Sequence, residues 1–478
     1  MAVFNKLKAK AITIAANKAI DLLYEDFDAN LPKIRATLDR FLGSGDETSD
    51  EQIGIFDMVM DHLETPGDNW RQLVQNVIAN VDRDVARTFA INFFVNSVAI
   101  GGPRQREVRE KYGCNSPWAI LMDPTTACNL HCTGCWAANY TDKKQRSLTF
   151  EELDSIITQG KELGTYIYLY TGGEPMLRKR DIIRLCELHP DCFFSAFTNG
   201  TLIDEAFADE MARVKNFMPA FSIEGFRDAT DARRGEGTFD KVVRAMDILR
   251  ERRLPFGASI CYTSQNYESI TSDEFVQFLV DQGVLFAWIF TYMPVGVGAP
   301  VELIATAEQR AGMWHKVRED WRQSVPIFFA DFWNDGEYTG GCIAGARRYL
   351  HINAGGDLEP CAFIHYSDSN VREKSLLECY QSKFFKSYRA NQPFNENMLR
   401  VCPLLDNPGM LSKMVHETGA VSTDYTHPED VDDLEAKTRA AAEAWAEASV
   451  PLWELSPKKA LSDRLVAEGK SPTDWVKP

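Results

Sequence analysis

The sequence predicts an α/β protein built on a parallel sheet, and three observations lead there. Six short apolar runs rich in β-branched or aromatic residues (WAILMD, TYIYLYT, CFFSAFT, FMPAFSIE, PFGASICYT and FAWIFTYM) lie between residues 116 and 300. Such runs suit strands buried on both faces. Amphipathic stretches of helical length separate them, and repeated strand–helix–strand units imply parallel pairing with right-handed crossovers. The chain has 478 residues, 45% hydrophobic and 25% charged, which fits a folded protein of about three units. Periodicity alone leaves open whether the sheet is open, closed or a partial barrel.

Residues 1–112 read as a helical region. NKAIDLLYEDF and NWRQLVQNVIANVDRDVARTFAINFFVNSVAI space their apolar residues three and four apart. The opening helix carries Lys6, Lys8, Lys10 and Lys18 ahead of its first acid, Asp21, with Phe4, Leu7, Ala11 and Ile14 among its apolar positions. It reads either as a helix packed on the body or as a basic amphipathic helix on an anionic membrane surface. No run of roughly 18 apolar residues is seen, so no transmembrane segment is expected. The start lacks the pattern of a signal peptide, and a cytoplasmic location follows, with peripheral membrane association as the variant.

Residues 113–325 hold the strand–helix repeats. The helix FEELDSIITQGKELG should open after Thr149, with Glu152 completing a capping box, and end at Gly164. Residues 326–415 are rich in Gly, Asn and Asp and too irregular for another repeat, and residues 416–478 form a helical tail. Within that tail the acidic, Ala-rich DDLEAKTRAAAEAWAEA reads as one exposed helix. A formal charge of −17 argues against nucleic acid as the primary partner.

The chemistry is announced by Cys128, Cys132 and Cys135 in ACNLHCTGCWA, just beyond the first strand. That is the edge where parallel α/β sheets place their sites. Structural zinc normally takes four protein ligands, and only His131 lies nearby as a fourth. Three thiolates on a four-iron cluster leave one iron free to coordinate a small molecule. On spacing alone an iron–sulfur centre, zinc and coincidence remain open. Of the other cysteines, Cys114, Cys186, Cys192 and Cys261 sit in loop, strand or helix contexts expected to be inert core.

Further motifs follow in order at strand ends: Thr171-Gly172-Gly173-Glu174-Pro175, Thr198-Asn199-Gly200, Ser222-Ile223-Glu224-Gly225 and Arg233-Arg234-Gly235. With the C-x3-C-x2-C loop, this series resembles the radical S-adenosylmethionine (radical SAM) superfamily. The resemblance implies a partial (β/α)6 TIM-like barrel and a [4Fe-4S] cluster on Cys128, Cys132 and Cys135. It also implies S-adenosylmethionine as cofactor. Gly172, Gly173, Glu174 and Pro175 would then meet the methionine amino group, Thr198 and Asn199 would end the third strand, Ser222 and Glu224 would meet the ribose, and Arg234 the methionine carboxylate. The family's aromatic residue before the third cysteine is Gly134 here, with Trp136 as its replacement candidate, and Glu224 stands where Asp is usual.

The later cysteines resemble the SPASM or twitch extension of the subgroup that includes molybdenum-cofactor cyclases. Cys342, Cys361 and Cys402 would hold one auxiliary [4Fe-4S] cluster, with Cys379, His365 or an open iron as the fourth position. The resemblance implies reductive cleavage of S-adenosylmethionine to a 5′-deoxyadenosyl radical, hydrogen abstraction from a substrate, an anaerobic cytosol and a flavodoxin or ferredoxin donor. The substrate stays open between a lipid or membrane-associated molecule, a peptide or protein, and a small metabolite. A non-enzymatic iron–sulfur carrier is the alternative of another class. The aromatic stretch FAWIFTYMPVG could line an apolar pocket or be a buried strand.

Overall fold

The computed structural model describes residues 2–42, 50–138 and 146–476. The six expected strands all form: β1 (Ala119–Met122), β2 (Ile167–Tyr170), β3 (Phe193–Thr198), β4 (Phe217–Ser222), β5 (Gly257–Tyr262) and β6 (Phe286–Thr291). Each pairs in parallel with the next, and the sheet curls into a partial barrel with helices outside. Side chains alternate across it. Ile120, Met122, Tyr168, Tyr170 and Phe194 pack outward against the helices. Leu121, Leu169, Phe193 and Met218 face the interior. The helix Phe150–Glu162 opens on the expected capping box of Thr149 and Glu152.

Residues 326–415 continue the same sheet at both edges. β7 (Phe328–Asp331) pairs in parallel with β6, and β8 (Tyr349–Ile352) pairs in parallel with β1. β9 (Leu358–Glu359) then turns back antiparallel on β8. Barrel edges carry rows of unpaired N–H and C=O groups, and these strands satisfy them.

Among the described residues, helices make up most of the amino-terminal region to Tyr112. Its opening helix, Ala2–Glu25, forms, while the side chains of Phe4, Lys6, Leu7, Lys8, Lys10 and Ala11 lie outside the described residues. The continuous helix Arg83–Tyr112 is long and apolar enough to cross a membrane by length and composition, which by itself does not show a transmembrane segment. Part of that apolarity serves the barrel. Phe89 meets Phe193 at 5.3 Å between ring centroids, and Phe93 meets Trp118 at 5.2 Å, so this helix plugs the amino-terminal end of the strands. Phe94 and Val98 remain exposed.

The tail helix, Val431–Glu454, corrects the expectation of an exposed helix. Trp445, Leu452 and Trp453 are buried against Trp314, Met398 and Leu399. The Arg310 guanidinium lies 4.2 Å from the Trp445 ring. A thin apolar stripe at helical spacing had been masked by the acidic and Ala-rich composition around it.

Candidate functional site

Cys128, Cys132 and Cys135 sit in the loop after β1, at the carboxyl end of the barrel, and each is partly accessible. The strands beside it fasten that loop. Glu174 N donates to Ala127 O at 2.7 Å, and Gly173 N donates to Thr125 O at 3.0 Å. This approach requires glycine: a Cβ on Gly173 would lie 2.0 Å from Ala127 O. From β3, Asn199 Nδ2 donates to Asn129 Oδ1 at 2.9 Å. From beyond β4, Arg233 O accepts from Thr133 N at 2.8 Å. Three motifs spread over about sixty residues of sequence thus hold one cysteine loop.

Burial pushes the Cys128 thiol up to about 11 and raises Cys135 as well. Neither ionises unaided near neutral pH, so binding iron must displace their protons. Cationic charge is at hand, with Arg234 Nη1 4.0 Å from Cys132 Sγ. Among the described residues no three His, Cys, Asp or Glu side chains converge on a single ion. A four-iron cube takes its thiolates at separate corners, and three thiols on one cation-flanked loop fit that group. His131 points to solvent.

The carboxylate of Glu174 is buried and engaged. It accepts from Met176 N at 2.9 Å, Thr198 Oγ1 at 2.6 Å and Asn199 N at 2.8 Å. Burial raises its pKa. In this structure Glu174 therefore ties β2 to the turn after β3, while Pro175 opens the short 3-10 turn Pro175–Arg178. Ser222 ends β4 on the same inner face as Met218 and Ala220. Glu224 is fully buried and accepts from Arg233 Nη1 at 2.6 Å and from Arg234 Nε at 2.9 Å. Burial opposes the Arg233 charge, but Cys261, Glu224 and Cys132 outweigh it and hold the guanidinium's pKa above its usual value. The carboxylate and the arginine to which the resemblance gave separate ligand contacts are paired here with each other.

Trp136 packs on the carboxy-terminal region. Its ring meets His351 at 5.7 Å, Phe363 at 6.0 Å and His365 at 5.9 Å, all in the carboxy-terminal region. Tyr292, which sequence reasoning left inside a strand run, fills the space over Gly134. A Cβ there would lie 2.7 Å from Tyr292 Cε2. The missing aromatic before the third cysteine is thus matched by one arriving from the end of β6. Cys261 is partly accessible on the inner face of β5, and burial raises its thiol to about 11 against the pull of Arg233.

Six partly accessible aromatic rings form a wall, and the two at one end, Phe363 and Trp136, adjoin the two cysteine groups. Phe197 meets Trp288 at 4.8 Å, Trp288 meets Phe332 at 5.7 Å, and Phe332 stacks on Phe290 at 5.0 Å. Phe290 meets Phe363 at 6.2 Å, and Phe363 meets Trp136, the neighbour of Cys135. Phe363 N in turn donates to Cys361 Sγ at 3.5 Å. The stretch FAWIFTYM is therefore both a strand and, through Trp288 and Phe290, part of this wall.

Cys342, Cys361 and Cys402 gather in one apolar cluster around Tyr388. Cys379 does not join them. It lies in the outer core of the barrel, in the helix Leu376–Tyr380, which is anchored by Leu376 N on Gln159 Oε1. The expectation of Cys379 as a ligand is corrected on that ground: its helix packs on the barrel's outside, away from the three. His365 spends Nε2 on Ala362 O at 3.0 Å.

Residues 122–276 match the radical SAM superfamily. The chain is similar to an AdoMet-dependent heme synthase of Methanosarcina barkeri, 22% identical over 56% of this chain and 83% of that protein. It is similar to the mycofactocin maturase MftC of Mycolicibacterium smegmatis, 29% identical over 55% of this chain and 69% of that protein. Its fold is like that of Streptococcus suis SuiB bound to S-adenosylmethionine, with a TM-score of 0.53 and 21% identity over 70% of this chain and 81% of that one.

Proposed function

The chain belongs to the radical SAM superfamily and is an enzyme, and from that premise we propose that it takes a hydrogen atom from an apolar substrate. The observation that carries this reading is the aromatic wall from Phe197 through Trp288, Phe332 and Phe290 to Phe363 and Trp136. Such a surface binds by excluding water from apolar area and offers few polar groups to a charged metabolite. Bound on Cys128, Cys132 and Cys135, a reduced four-iron cluster supplies the electron for cleaving S-adenosylmethionine. The chain's own part is to orient and to keep dry. Gly172 and Gly173 bring the loop after β2 against the cysteine loop, Glu174 fixes the turn at Thr198 and Asn199, and Glu224 holds Arg233 and Arg234 beside Cys132. Cys342, Cys361 and Cys402 would hold one auxiliary cluster behind the far end of the wall. A flavodoxin or ferredoxin would deliver the electron.

Among apolar substrates we favour an alkyl chain of a lipid, and a peptide side chain is the second reading, supported by the similarity to MftC. The first experiment is 5′-deoxyadenosine formation by the reconstituted wild type and by the Cys128→Ala/Cys132→Ala/Cys135→Ala variant. Product from the wild type alone is expected. The second follows deuterium into 5′-deoxyadenosine from a perdeuterated lipid extract and from a deuterated peptide fraction. Label from the lipid is expected; label from peptide alone would replace the first reading by the second.

A further inference from the structure

Two tyrosine hydroxyls lie among the carboxy-terminal cysteines, and neither is used by the reactions described above. Tyr349 opens β8, whose partner in the sheet is β1, and its hydroxyl lies 2.6 Å from Cys361 Sγ. Tyr388 is fully buried, its ring against Gly345, where a Cβ would come within 2.7 Å of it. Among the described residues its hydroxyl has no hydrogen-bond partner. A buried hydroxyl left without a partner is costly, and both sit where Cys342, Cys361 and Cys402 converge.

We propose that Tyr349 is a positioning residue for the auxiliary centre, donating its hydroxyl hydrogen to the Cys361 thiolate and raising that centre's reduction potential. This rests on the auxiliary cluster proposed above. A thiolate that ligates iron has no proton to give, so in a pair with a phenol the phenol must be the donor. Reduction adds one negative charge to the cluster. An O–H dipole aimed at a ligating sulfur stabilises the reduced state more than the oxidised one, and the potential rises. The strand geometry makes the contact dependable. Tyr349 and His351 project to the same side of β8, and the paired edge on β1 fixes their register. His351 is held at both ring nitrogens, by Asp123 at 2.8 Å and Glu359 at 2.6 Å, which pins the strand that carries Tyr349. Cys361, two residues beyond Glu359, is pinned with it.

The test uses the full chain with Cys128, Cys132 and Cys135 replaced by Ala, so that only auxiliary iron remains. Its midpoint potential is measured by redox titration followed by electron paramagnetic resonance, with and without Y349F. A lower midpoint in Y349F, at unchanged iron and sulfide content, is expected. Y366F serves as control, because the Tyr366 hydroxyl donates elsewhere, to Glu429 O at 2.9 Å, and its midpoint should match the parent. An unchanged or raised midpoint in Y349F, or an equal shift in Y366F, overturns the proposal. Loss of iron in Y349F while the parent keeps it overturns the tuning role in favour of an assembly role. A parent without iron removes the auxiliary cluster itself, and the inference falls with it.

Discussion

Replacing Gly173 by alanine tests whether the close approach of two loops builds the cysteine site. The added Cβ would stand 2.0 Å from Ala127 O, 2.5 Å from Ala127 C and 2.7 Å from Thr126 C. All three are backbone atoms, so no side chain can rotate aside. Forcing extra volume into a packed site costs about 1–3 kcal/mol. Pushing the strands apart also strains the bonds from Gly173 N to Thr125 O and from Glu174 N to Ala127 O, each contributing about 0.5–1.5 kcal/mol. The expected loss is therefore roughly 2–6 kcal/mol of local stability, placed one residue from Cys128. Iron content of the reconstituted cysteine loop should fall, measured in a background that keeps Cys342, Cys361 and Cys402 mutated to Ala. Gly102→Ala is the control, since its Cβ would meet nothing nearer than 3.9 Å on a helix. Wild-type iron content and an unchanged urea midpoint in Gly173→Ala would refute the reasoning.

Glu224→Gln should cost about 3–5 kcal/mol, because it leaves Arg233 and Arg234 buried without their counter-charge; urea unfolding checks it. His351 titrates with the opposite sign from a salt-bridged acid. Burial opposes its charge, but Asp123 and Glu359 outweigh burial and raise it to about 10. Its stabilising contribution is thus complete below the unfolded value of about 6.5 and is lost as pH climbs through about 10. The stability gap between wild type and His351→Gln should shrink over that window in denaturation curves taken at each pH. Cys379→Ala should leave auxiliary iron unchanged while losing about 1–2 kcal/mol of core packing, whereas Cys402→Ala should lower the iron content. Deleting residues 1–25 should abolish binding to anionic vesicles in a sedimentation assay, if the lysines of the opening helix meet lipid headgroups.

The barrel was legible because each of its strands is short, apolar and bounded by turn chemistry, so period and punctuation agree. The cysteine loop was legible for a different reason. Its thiols must lie close in sequence, and the motifs that clamp it sit at strand ends, where residue type is dictated by backbone approach rather than by packing. Gly173 is the clearest instance: the space left by Ala127 O admits no Cβ, and the sequence states that requirement directly. Thr198 and Asn199 were legible as the end of a strand, but their partner, the Glu174 carboxylate 24 and 25 residues earlier, was not, because the resemblance gave that carboxylate to the methionine amino group.

What failed to show were contacts made by long-range folding on ordinary-looking residues. Tyr292 is one aromatic among several in FAWIFTYM, and nothing local says that its ring will occupy the space over Gly134, about 160 residues away in the chain. The absence at Gly134 was visible; the compensation was not, because one side chain can be replaced by any other that reaches the same volume. Cys379 misled in the converse way. It shares residue type and neighbourhood in sequence with Cys342, Cys361 and Cys402, yet its helix packs on the barrel's outside, and the capping box of Ser375 and Glu378 that starts the helix was the available sign that this thiol belonged to a core. The tail helix hid its buried stripe among acids and alanines for the same reason: burial is decided by a few positions at helical spacing, while composition averages over all of them. Chemistry tied to backbone geometry is thus written locally in this chain, and chemistry tied to side-chain volume is written only in the fold.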